Sequence, residues 1–385
     1  MADLKKVMIG NNANDRREII LKFEGGSVSK LVLADGLHGG MTVIEVDNGR
    51  LKYWLLPERG MGIWKIWIDG IELGWQSPVR GPVHPKFVSM QEAEGLGWLD
   101  GFDELLCRCG LESNGAPDFF ENGQLKYPLH GKIANLPAHH LSAEFNPNRH
   151  EISVNGVVDE ARFHHQQLSL TSTVSTEIGG KTLCIRDVVT NQSAQSARFQ
   201  LLYHINFGLP LLGAGATIQA PIKHLVPRTA EAAKAVNEWS EMRAPVAGFS
   251  EQVYFMTLLA DESGASQVLL KNATSTLGVS IHFNLSHFPC FTLWKNTAAI
   301  ADGYVVGLEP GTNYPNPRSF EEKQGRIERL LAGESKDFEM RLAFHLDATE
   351  VQQAEAAIAK LQAKVEPTIF RSLQKAWSIE AAAKI

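Results

Sequence analysis

One apolar stretch of the sequence contains two polar residues that could act on a ligand. In LLYHINFGLP, Leu201 to Pro210, a histidine and an asparagine interrupt a run typical of a buried strand. Side chains alternate across a strand, so His204 and Asn206 share one face, while Tyr203 and Ile205 share the other. The face with the histidine becomes more polar toward its carboxyl end, which is typical of a strand that ends at a cleft. A structural histidine that hydrogen-bonds to a neighbouring strand is the alternative.

An acidic residue ends a second apolar run, in DGYVVGLEPGTNYPNPRSF. The alternation puts Glu309 on the same face as Gly307, which leaves room for a ligand beside the carboxylate. Pro310 restricts Glu309 to an extended conformation and helps to end the strand. A carboxylate at a strand end with apolar neighbours can have the raised pKa that suits a general base. A solvated glutamate at the edge of a loop is the alternative.

The elements that must position these residues are mostly strands. Period-two patterning with frequent turn signals predicts a large antiparallel all-β fold. IWIDGIELGW predicts a hairpin with its turn at Asp69-Gly70, and another turn is expected at Gly179-Gly180. Helical periodicity is clearest in ATEVQQAEAAIAKLQAKV, Ala348 to Val365, and residues 229–247 are expected to hold a short helix and a long loop.

Sequence length and patterning favour one domain of sandwich type over residues 1–385. We expect a less regular N-terminal segment, about residues 1–30, and a helical C-terminal segment, about residues 348–385. The chain has 44% apolar and 21% charged residues, and a formal net charge of -6, which argues against a nucleic-acid partner. The charged N-terminus and the lack of a long apolar run predict a cytoplasmic protein without a membrane partner. Oligomeric state is not predicted.

Cysteine and histidine pairs give weak signals. Cys107 and Cys109 are too close for an ordinary disulfide and lack zinc-ribbon spacing, so they are interpreted as reduced strand residues. The pairs His139-His140 and His164-His165, with Glu160 nearby, suggest a metal-dependent sugar isomerase or epimerase as a rival function. Adjacent strand residues point to opposite faces, so neither pair can chelate one ion without a bulge. No metal site or cofactor is predicted.

Three short motifs, in their order along the chain, resemble those of the aldose 1-epimerase (galactose mutarotase-like) superfamily. They are the His-Gly of YPLHGKIANLPAHH at His130, the H-x-N of YHINFG at His204 and Asn206, and the L-E-P of GLEP at Glu309. The stretch LLCRCGLESNGAPDF resembles the signature segment of a divergent branch of this superfamily. The resemblance covers roughly residues 40 to 345. It implies an antiparallel β-sandwich of galactose mutarotase-like (supersandwich) type with a few peripheral helices.

The resemblance also implies a reaction, the interconversion of the α and β anomers of a free sugar without a cofactor. Ring opening removes the proton of the anomeric hydroxyl and gives one to the ring oxygen, so a base and an acid must flank one ligand. Glu309 is then expected to be the base and His204 the acid, with reversed roles in ring closure. His130 and Asn206 are expected to bind the sugar.

Two positions depart from the family pattern. The family arginine before the His-Gly is missing in its usual Asn-Arg context, and Arg108 is a candidate at a comparable distance. The family aspartate between the histidine and the glutamate also has no match. FTLWKNTAAIADG offers Trp294, Lys295 and Asp302 instead. Lys295 could recognise an acidic or phosphorylated sugar, or it could be an ordinary surface lysine.

Tryptophans can stack on the apolar face of a pyranose, but most aromatic residues of a β-sandwich lie in the core. One or two are therefore expected in the site, from Trp54, Trp64, Trp67, Trp75, Trp98 and Trp294. The expected partner is a monosaccharide or sugar derivative, neutral or anionic. A second hypothesis is a carbohydrate-binding or sensing protein that has lost catalysis on the same scaffold, because fold does not determine function.

Overall fold

The computed structural model describes residues 5–8, 20–34 and 36–382, and most of these residues lie in strands or in the turns between them. The strands are β1 (Lys5–Met8), β2 (Ile20–Phe23), β3 (Gly26–Val32), β4 (Thr42–Asp47), β5 (Leu51–Leu56), β6 (Gly62–Ile68), β7 (Ile71–Glu72), β8 (Leu106–Leu111), β9 (Asp118–Phe119), β10 (Leu125–Tyr127), β11 (His140–Asn146), β12 (Glu151–Ala161), β13 (Gln167–Glu177), β14 (Thr182–Asn191), β15 (Ala197–Phe207), β16 (Thr217–Gln219), β17 (Ile222–Pro227), β18 (Gln252–Leu258), β19 (Ala265–Lys271), β20 (Gly278–Asn284), β21 (Cys290–Asn296), β22 (Val305–Gly311), β23 (Glu328–Leu330), β24 (Ser335–His345) and β25 (Thr368–Ile369).

Helices are short and peripheral. The α-helices are α1 (Glu92–Gly95), α2 (Ala230–Lys234), α3 (Arg318–Lys323), α4 (Ala348–Gln362) and α5 (Ile379–Ala382). Short 3-10 turns cover Gly36–His38, Pro57–Arg59, Pro85–Phe87, Gly97–Gly101, Ile133–Asn135, Val236–Glu238 and Ile300–Asp302. Among the described residues, no helix is long and apolar enough to cross a membrane.

Two large sheets form the fold. Within the described residues, one sheet has nine strands, in the order β1-β11-β12-β13-β14-β24-β20-β19-β16. The other has fourteen, and its main path is β2-β3-β4-β5-β6-β8-β15-β22-β21-β18-β17-β25, with β7 beside β6 and β23 beside β15. Neighbouring strands are antiparallel, except β17 and β25, which are parallel. A small β9-β10 hairpin completes the set. The predicted antiparallel all-β architecture with a few peripheral helices is confirmed.

Alternation of apolar and polar residues decides which side of each strand is buried. In β12, Ile152, Val154 and Val158 are buried and belong to the main core, whereas Ser153 and Asn155 are half-buried. Removing such side chains from water stabilises the fold by about 1.5–3 kcal/mol each. The main core contains residues from both sheets, which supports their packing face to face.

Strand β15 is an exception, because it is buried on both faces along almost its whole length. Tyr203 and Ile205 point into the main core, as the alternation predicted. Leu202 points the other way and packs with Trp98 and Phe102, which the chain between β7 and β8 places over the outer face. This aromatic cover makes the outer face of β15 a second buried region.

Local predictions are mostly met. The hairpin at Asp69-Gly70 forms between β6 and β7, and both turn residues have positive φ, 47° and 80°. Residues 229–247 contain α2, a 3-10 turn and a loop. The N-terminal segment is more regular than predicted where it is described, because β1, β2 and the start of β3 fall within it; residues 1–4 and 9–19 lie outside the described residues. The C-terminal segment is less helical than predicted, since β25 lies between α4 and α5.

Candidate active site

A cavity of about 290 Å³ opens on the outer face of the fourteen-stranded sheet. Its wall contains His130, His204, Trp294 and Glu309, which are four of the eight site residues predicted from the sequence. The sheet brings them together because β22 pairs with β15 on one side and with β21 on the other. The early His-Gly loop reaches the same cavity from the chain after β10.

His204 and Glu309 contact each other on the cavity floor. Strand register puts Asn206 opposite Gly307 and Ile205 opposite Leu308, so the two side chains extend from adjacent strands on the same face. The distance between His204 Nε2 and Glu309 Oε1 is 3.2 Å. Both residues are nearly inaccessible to solvent, with 5% and 2% of their surface exposed.

Asn206 holds the imidazole of His204 and does not line the cavity. Its Oδ1 lies 2.7 Å from His204 Nδ1, and its Nδ2 donates to the carbonyl oxygen of Glu104 at 3.0 Å. The second bond fixes the amide orientation, so the oxygen faces the imidazole and His204 Nδ1 must donate. Asn206 was predicted to bind substrate; because it is fully buried behind His204, its place in the structure is that of a positioning residue.

The hydrogen bond from Nδ1 determines the proton content of the pair. A neutral imidazole with its proton on Nδ1 has a lone pair on Nε2, which faces Glu309 Oε1. A contact at 3.2 Å between two acceptors is repulsive, so one proton must lie between them, on either the carboxyl or the imidazole. The pair therefore carries one acidic proton and one lone pair that can accept a proton.

Burial shifts the pKa of each partner. Burial lowers the pKa of His204 to about 3, and nearby His130 acts in the same direction, whereas the hydrogen bond to Asn206 opposes both effects. Burial also raises the pKa of Glu309 well above its ordinary value, with a further rise from Glu251 and a smaller opposing effect from Arg228. Both shifts disfavour the charged forms, so the shared proton rests on Glu309 in the free protein.

His130 is a neutral acceptor at the cavity wall. Its Nδ1 donates to the carbonyl oxygen of Asn114 at 2.9 Å, which leaves the lone pair on Nε2. Burial lowers the pKa of His130 to about 4. The loop approaches the neighbouring backbone closely at Gly131, where φ is 71° and a β-carbon would lie 1.9 Å from the carbonyl oxygen of Ser113. Glycine is required there, which explains the His-Gly motif physically.

Aromatic rings enclose the pair. The Trp98 ring lies 4.6 Å from the His130 ring, and the rings of Phe102 and Trp294 lie 5.1 and 5.4 Å from that of His204. Trp98 and Trp294 line the cavity, so two of the six tryptophans considered from the sequence reach it. The apolar enclosure keeps water from the imidazole and the carboxyl, which is the cause of their shifted pKa values.

Arg108 does not lie at the cavity, which corrects its prediction as a substrate-binding residue. It pairs with Tyr203 in the register of β8 and β15, so it points into the main core, while Cys107 and His204 face the other way. There it forms a buried ion pair with Asp187, in the opposite sheet. Strand β8 lies beside the site, but Arg108 is on the face of β8 that points away from the cavity.

Lys295 and Asp302 are also outside the cavity wall, contrary to prediction. Lys295 follows Trp294 on β21, and adjacent strand residues point to opposite faces. Its ammonium donates to the carbonyl oxygens of Glu238 and Glu241, both at 2.8 Å, and burial lowers its pKa to about 8. Asp302 is an exposed residue of a 3-10 turn before β22.

The residues of the cavity wall that were missed as site residues include three polar ones, Arg228, Glu251 and Thr292, and the aromatic Phe102. Thr292 had a usable signal, since it is two residues before Trp294 on β21 and must share its face. Arg228 directly follows β17, and Glu251 directly precedes β18. Both reach the cavity only because β18 pairs with β21 in the sheet. Glu251 accepts a hydrogen bond from the Nε1 of Trp294 at 2.7 Å.

The other chemical candidates of the sequence lie apart from this site. In the described part of the chain, no group of three or more histidine, cysteine, aspartate or glutamate residues could hold a metal ion. Glu160 accepts the backbone N–H groups of Leu111 and Glu112, and His139 lies 3.1 Å from Asp159. Cys107 and Cys109 are buried free thiols, as interpreted, and burial raises the pKa of both.

Known proteins share this fold. Residues 38–344 match the family described as Domain of unknown function (DUF4432). The crystal structure of a putative aldose 1-epimerase from Klebsiella pneumoniae is 32% identical, with 96% of this chain and 98% of that chain covered and a TM-score of 0.91. No match was found among curated proteins.

More distant structures share the fold alone. A galactose mutarotase-like protein from Clostridium acetobutylicum is 14% identical over 84% of this chain and all of its own, with a TM-score of 0.58. A galactose 1-epimerase from Lactobacillus acidophilus is 12% identical over 83% of this chain and 98% of its own, with a TM-score of 0.53. The chain therefore belongs to the DUF4432 family, a divergent branch of the aldose 1-epimerase (galactose mutarotase-like) superfamily.

Proposed function

We propose that this protein is an aldose 1-epimerase, which interconverts the α and β anomers of a free sugar by acid and base catalysis. The observation that carries the proposal is the buried His204–Glu309 pair, which contains one proton and one lone pair at the floor of a small, aromatic-walled cavity. Ring opening requires one group of each kind at the same moment.

The short distance within the pair suits the substrate. The anomeric hydroxyl and the ring oxygen of an aldose are both attached to C1, so an acid and a base close to one another can reach both atoms. Glu309 takes the proton of the anomeric hydroxyl, and His204 Nε2–H donates to the ring oxygen. Before this step the shared proton moves from Glu309 to His204, which the 3.2 Å contact permits.

The two roles then reverse. After ring opening the protonated Glu309 and the neutral His204 face an aldehyde and a free hydroxyl group. Rotation about the C1–C2 bond presents the other face of the aldehyde, and the hydroxyl attacks it while His204 takes its proton and Glu309 donates one. His130 Nε2 accepts a hydrogen bond from a sugar hydroxyl, and the rings of Trp98 and Trp294 provide apolar contact for the pyranose.

The pH profile of activity is expected to be bell-shaped, with a broad plateau around neutrality. A second proton on the pair abolishes the base, and this acid limb lies well below the ordinary histidine pKa of about 6.5, because burial opposes protonation of His204. Loss of the only proton abolishes the acid, and this limb lies well above the ordinary glutamate pKa, because burial holds the proton on Glu309. The profile of kcat/KM, corrected for buffer catalysis, measures both limbs; an acid limb centred near 6.5 would contradict the buried pair.

Gly307→Ala is expected to lower kcat/KM by about 100-fold, because a misplacement of about 1 Å can cost this much. A β-carbon at this position would lie 2.9 Å from both Glu309 Oε1 and His204 Cε1, so the pair must separate. Gly213→Ala is the matched control, since the closest atom to its added carbon is 4.0 Å away. Rates and thermal unfolding are measured for both variants. Unchanged activity in Gly307→Ala would show that the observed pair geometry is not needed.

The proposal is tested by saturation-transfer NMR, which measures exchange between α and β anomeric protons. Wild-type protein is assayed with neutral, acidic and phosphorylated aldoses, and His204→Ala and Glu309→Ala are assayed with each sugar that exchanges faster. Acceleration that both substitutions abolish supports the proposal. Absence of acceleration with every sugar refutes it, and sugar binding without exchange would then favour the non-catalytic binding protein.

A further inference from the structure

Three residues of the cavity wall each have one buried polar atom without a hydrogen-bond partner within the described residues. These atoms are Trp98 Nε1, Thr292 Oγ1 and Arg228 Nε. Trp98 and Thr292 are almost completely inaccessible, with 0% and 1% of their surface exposed. An unpaired buried polar group costs about 1–3 kcal/mol, so three of them at one cavity indicate groups that a ligand satisfies.

Arg228 also introduces a positive charge at the cavity wall. In the described part of the chain its guanidinium takes part in no ion pair. Of the two acidic residues of the cavity wall, Glu309 contacts His204 and Glu251 accepts a hydrogen bond from Trp294, and neither forms an ion pair with Arg228. A half-buried guanidinium in a cavity is suited to a carboxylate or a phosphate, which it can bind through two parallel hydrogen bonds.

The three residues lie at different places around the cavity, so each can contact a different part of a ligand. Thr292 pairs with Glu309 in the register of β21 and β22, so its hydroxyl lies beside the base, and Trp98 packs on His130. Arg228 follows β17, which is three strands from β22 in the sheet, so it lies to one side of the pair. Anomer exchange needs a free hydroxyl at C1, so a charged group must be attached elsewhere on the sugar.

We propose that the substrate is an acidic sugar, whose carboxylate or phosphate binds Arg228 while Trp98 Nε1 and Thr292 Oγ1 bind its hydroxyl groups. This inference rests on the proposed function and adds a substrate class to it. It assigns to Arg228 the charge recognition that the sequence had suggested for Lys295, whose ammonium is occupied by two backbone carbonyls.

The test compares sugars that differ only in the group at C6: glucose, glucuronate and glucose 6-phosphate. Wild-type protein is expected to exchange at least one acidic sugar with a kcat/KM about 10- to 100-fold above that for glucose, as a charge-assisted hydrogen bond allows. Arg228→Gln is expected to remove this preference, mainly through a raised KM for the acidic sugars, so that their kcat/KM falls to about the value for glucose. The preferred anion distinguishes a carboxylate from a phosphate site.

Arg243→Gln is the control for net charge, because Arg243 is exposed, pairs with Glu238 and is not part of the cavity wall. It should keep the preference for the acidic sugar. Equal rates of wild-type protein on glucose and both acidic sugars would overturn the inference, as would an equal loss on all three in Arg228→Gln. Both results leave the proposed anomer exchange intact.

Thr292→Val tests the hydroxyl contact, since it removes Oγ1 and keeps the shape. KM should rise about 3- to 10-fold for neutral and acidic sugars alike, the effect of one lost hydrogen bond. An unchanged KM would show that the hydroxyl of Thr292 does not bind the sugar. If no sugar exchanges at all, calorimetric titration of wild-type protein and Arg228→Gln with the same three sugars still tests the charge preference. Tighter binding of an acidic sugar than of glucose, lost in Arg228→Gln, supports the preference. Equal binding of all three sugars refutes it.

Discussion

Glu309→Gln is expected to slow anomer exchange by about 10²- to 10⁴-fold, the usual contribution of a general acid or base. Glutamine keeps the size of the side chain and its place beside Gly307, but its amide cannot take the proton of the anomeric hydroxyl. It also leaves His204 without the proton that the pair shares. The loss should fall on kcat, because the cavity keeps its shape.

A second substitution tests whether the two residues act as one unit. His204→Gln alone should lose as much activity as Glu309→Gln, and the double variant should lose no more than either, since each substitution removes one of the two groups between which the proton must move. The measurement is kcat for exchange in all three variants, with wild-type circular dichroism as the control for folding. Losses that multiply in the double variant would mean that the two residues act independently.

Alternation predicted the central pair well. The faces of β15 and β22 follow from their apolar patterns, so His204 could be placed with Asn206, and Glu309 with Gly307, before their strands were known to pair. The space beside Gly307, expected to hold a ligand, is filled by the His204 and Glu309 side chains themselves. Direct contact between the pair depends on register, which no local pattern contained.

The same alternation shows why two predicted residues are elsewhere. Trp294 and Lys295 are adjacent on β21, so only one can face the cavity, and their joint prediction was inconsistent with a strand. Arg108 needed more information, because its direction follows from pairing with Tyr203. Its distance from the His-Gly motif along the chain carried no information about the face of β8.

Two of the missed residues, Arg228 and Glu251, lie next to strands that are distant from Glu309 along the chain. They flank the segment between β17 and β18, and neither has a motif around it. Their approach to Glu309 depends on the order β22-β21-β18-β17 in the sheet. A charged residue beside a strand is common on protein surfaces, so composition could not distinguish these two from solvated side chains.

Arg108→Met is expected to lower the free energy of unfolding by about 3–5 kcal/mol, because it leaves a buried carboxylate without its counterion. Asp187 accepts hydrogen bonds from Arg108 and from the hydroxyl of Tyr203, the latter at 2.6 Å. Arg108 also donates to the carbonyl oxygen of Met61 at 2.6 Å and to the hydroxyl of Ser172 at 2.8 Å. This network joins β8 of one sheet to β13 and β14 of the other.

Urea unfolding measures the effect, and a double variant shows its origin. The double variant, Arg108→Met with Asp187→Leu, should lose much less unfolding free energy than the sum of the losses in the two single variants. The reason is that it leaves no unpaired charge in the core. Folded Arg108→Met should keep wild-type KM, since the guanidinium is in the core and does not touch the cavity wall. A stable variant with a raised KM for sugar would instead restore the family-like role of Arg108 in substrate binding.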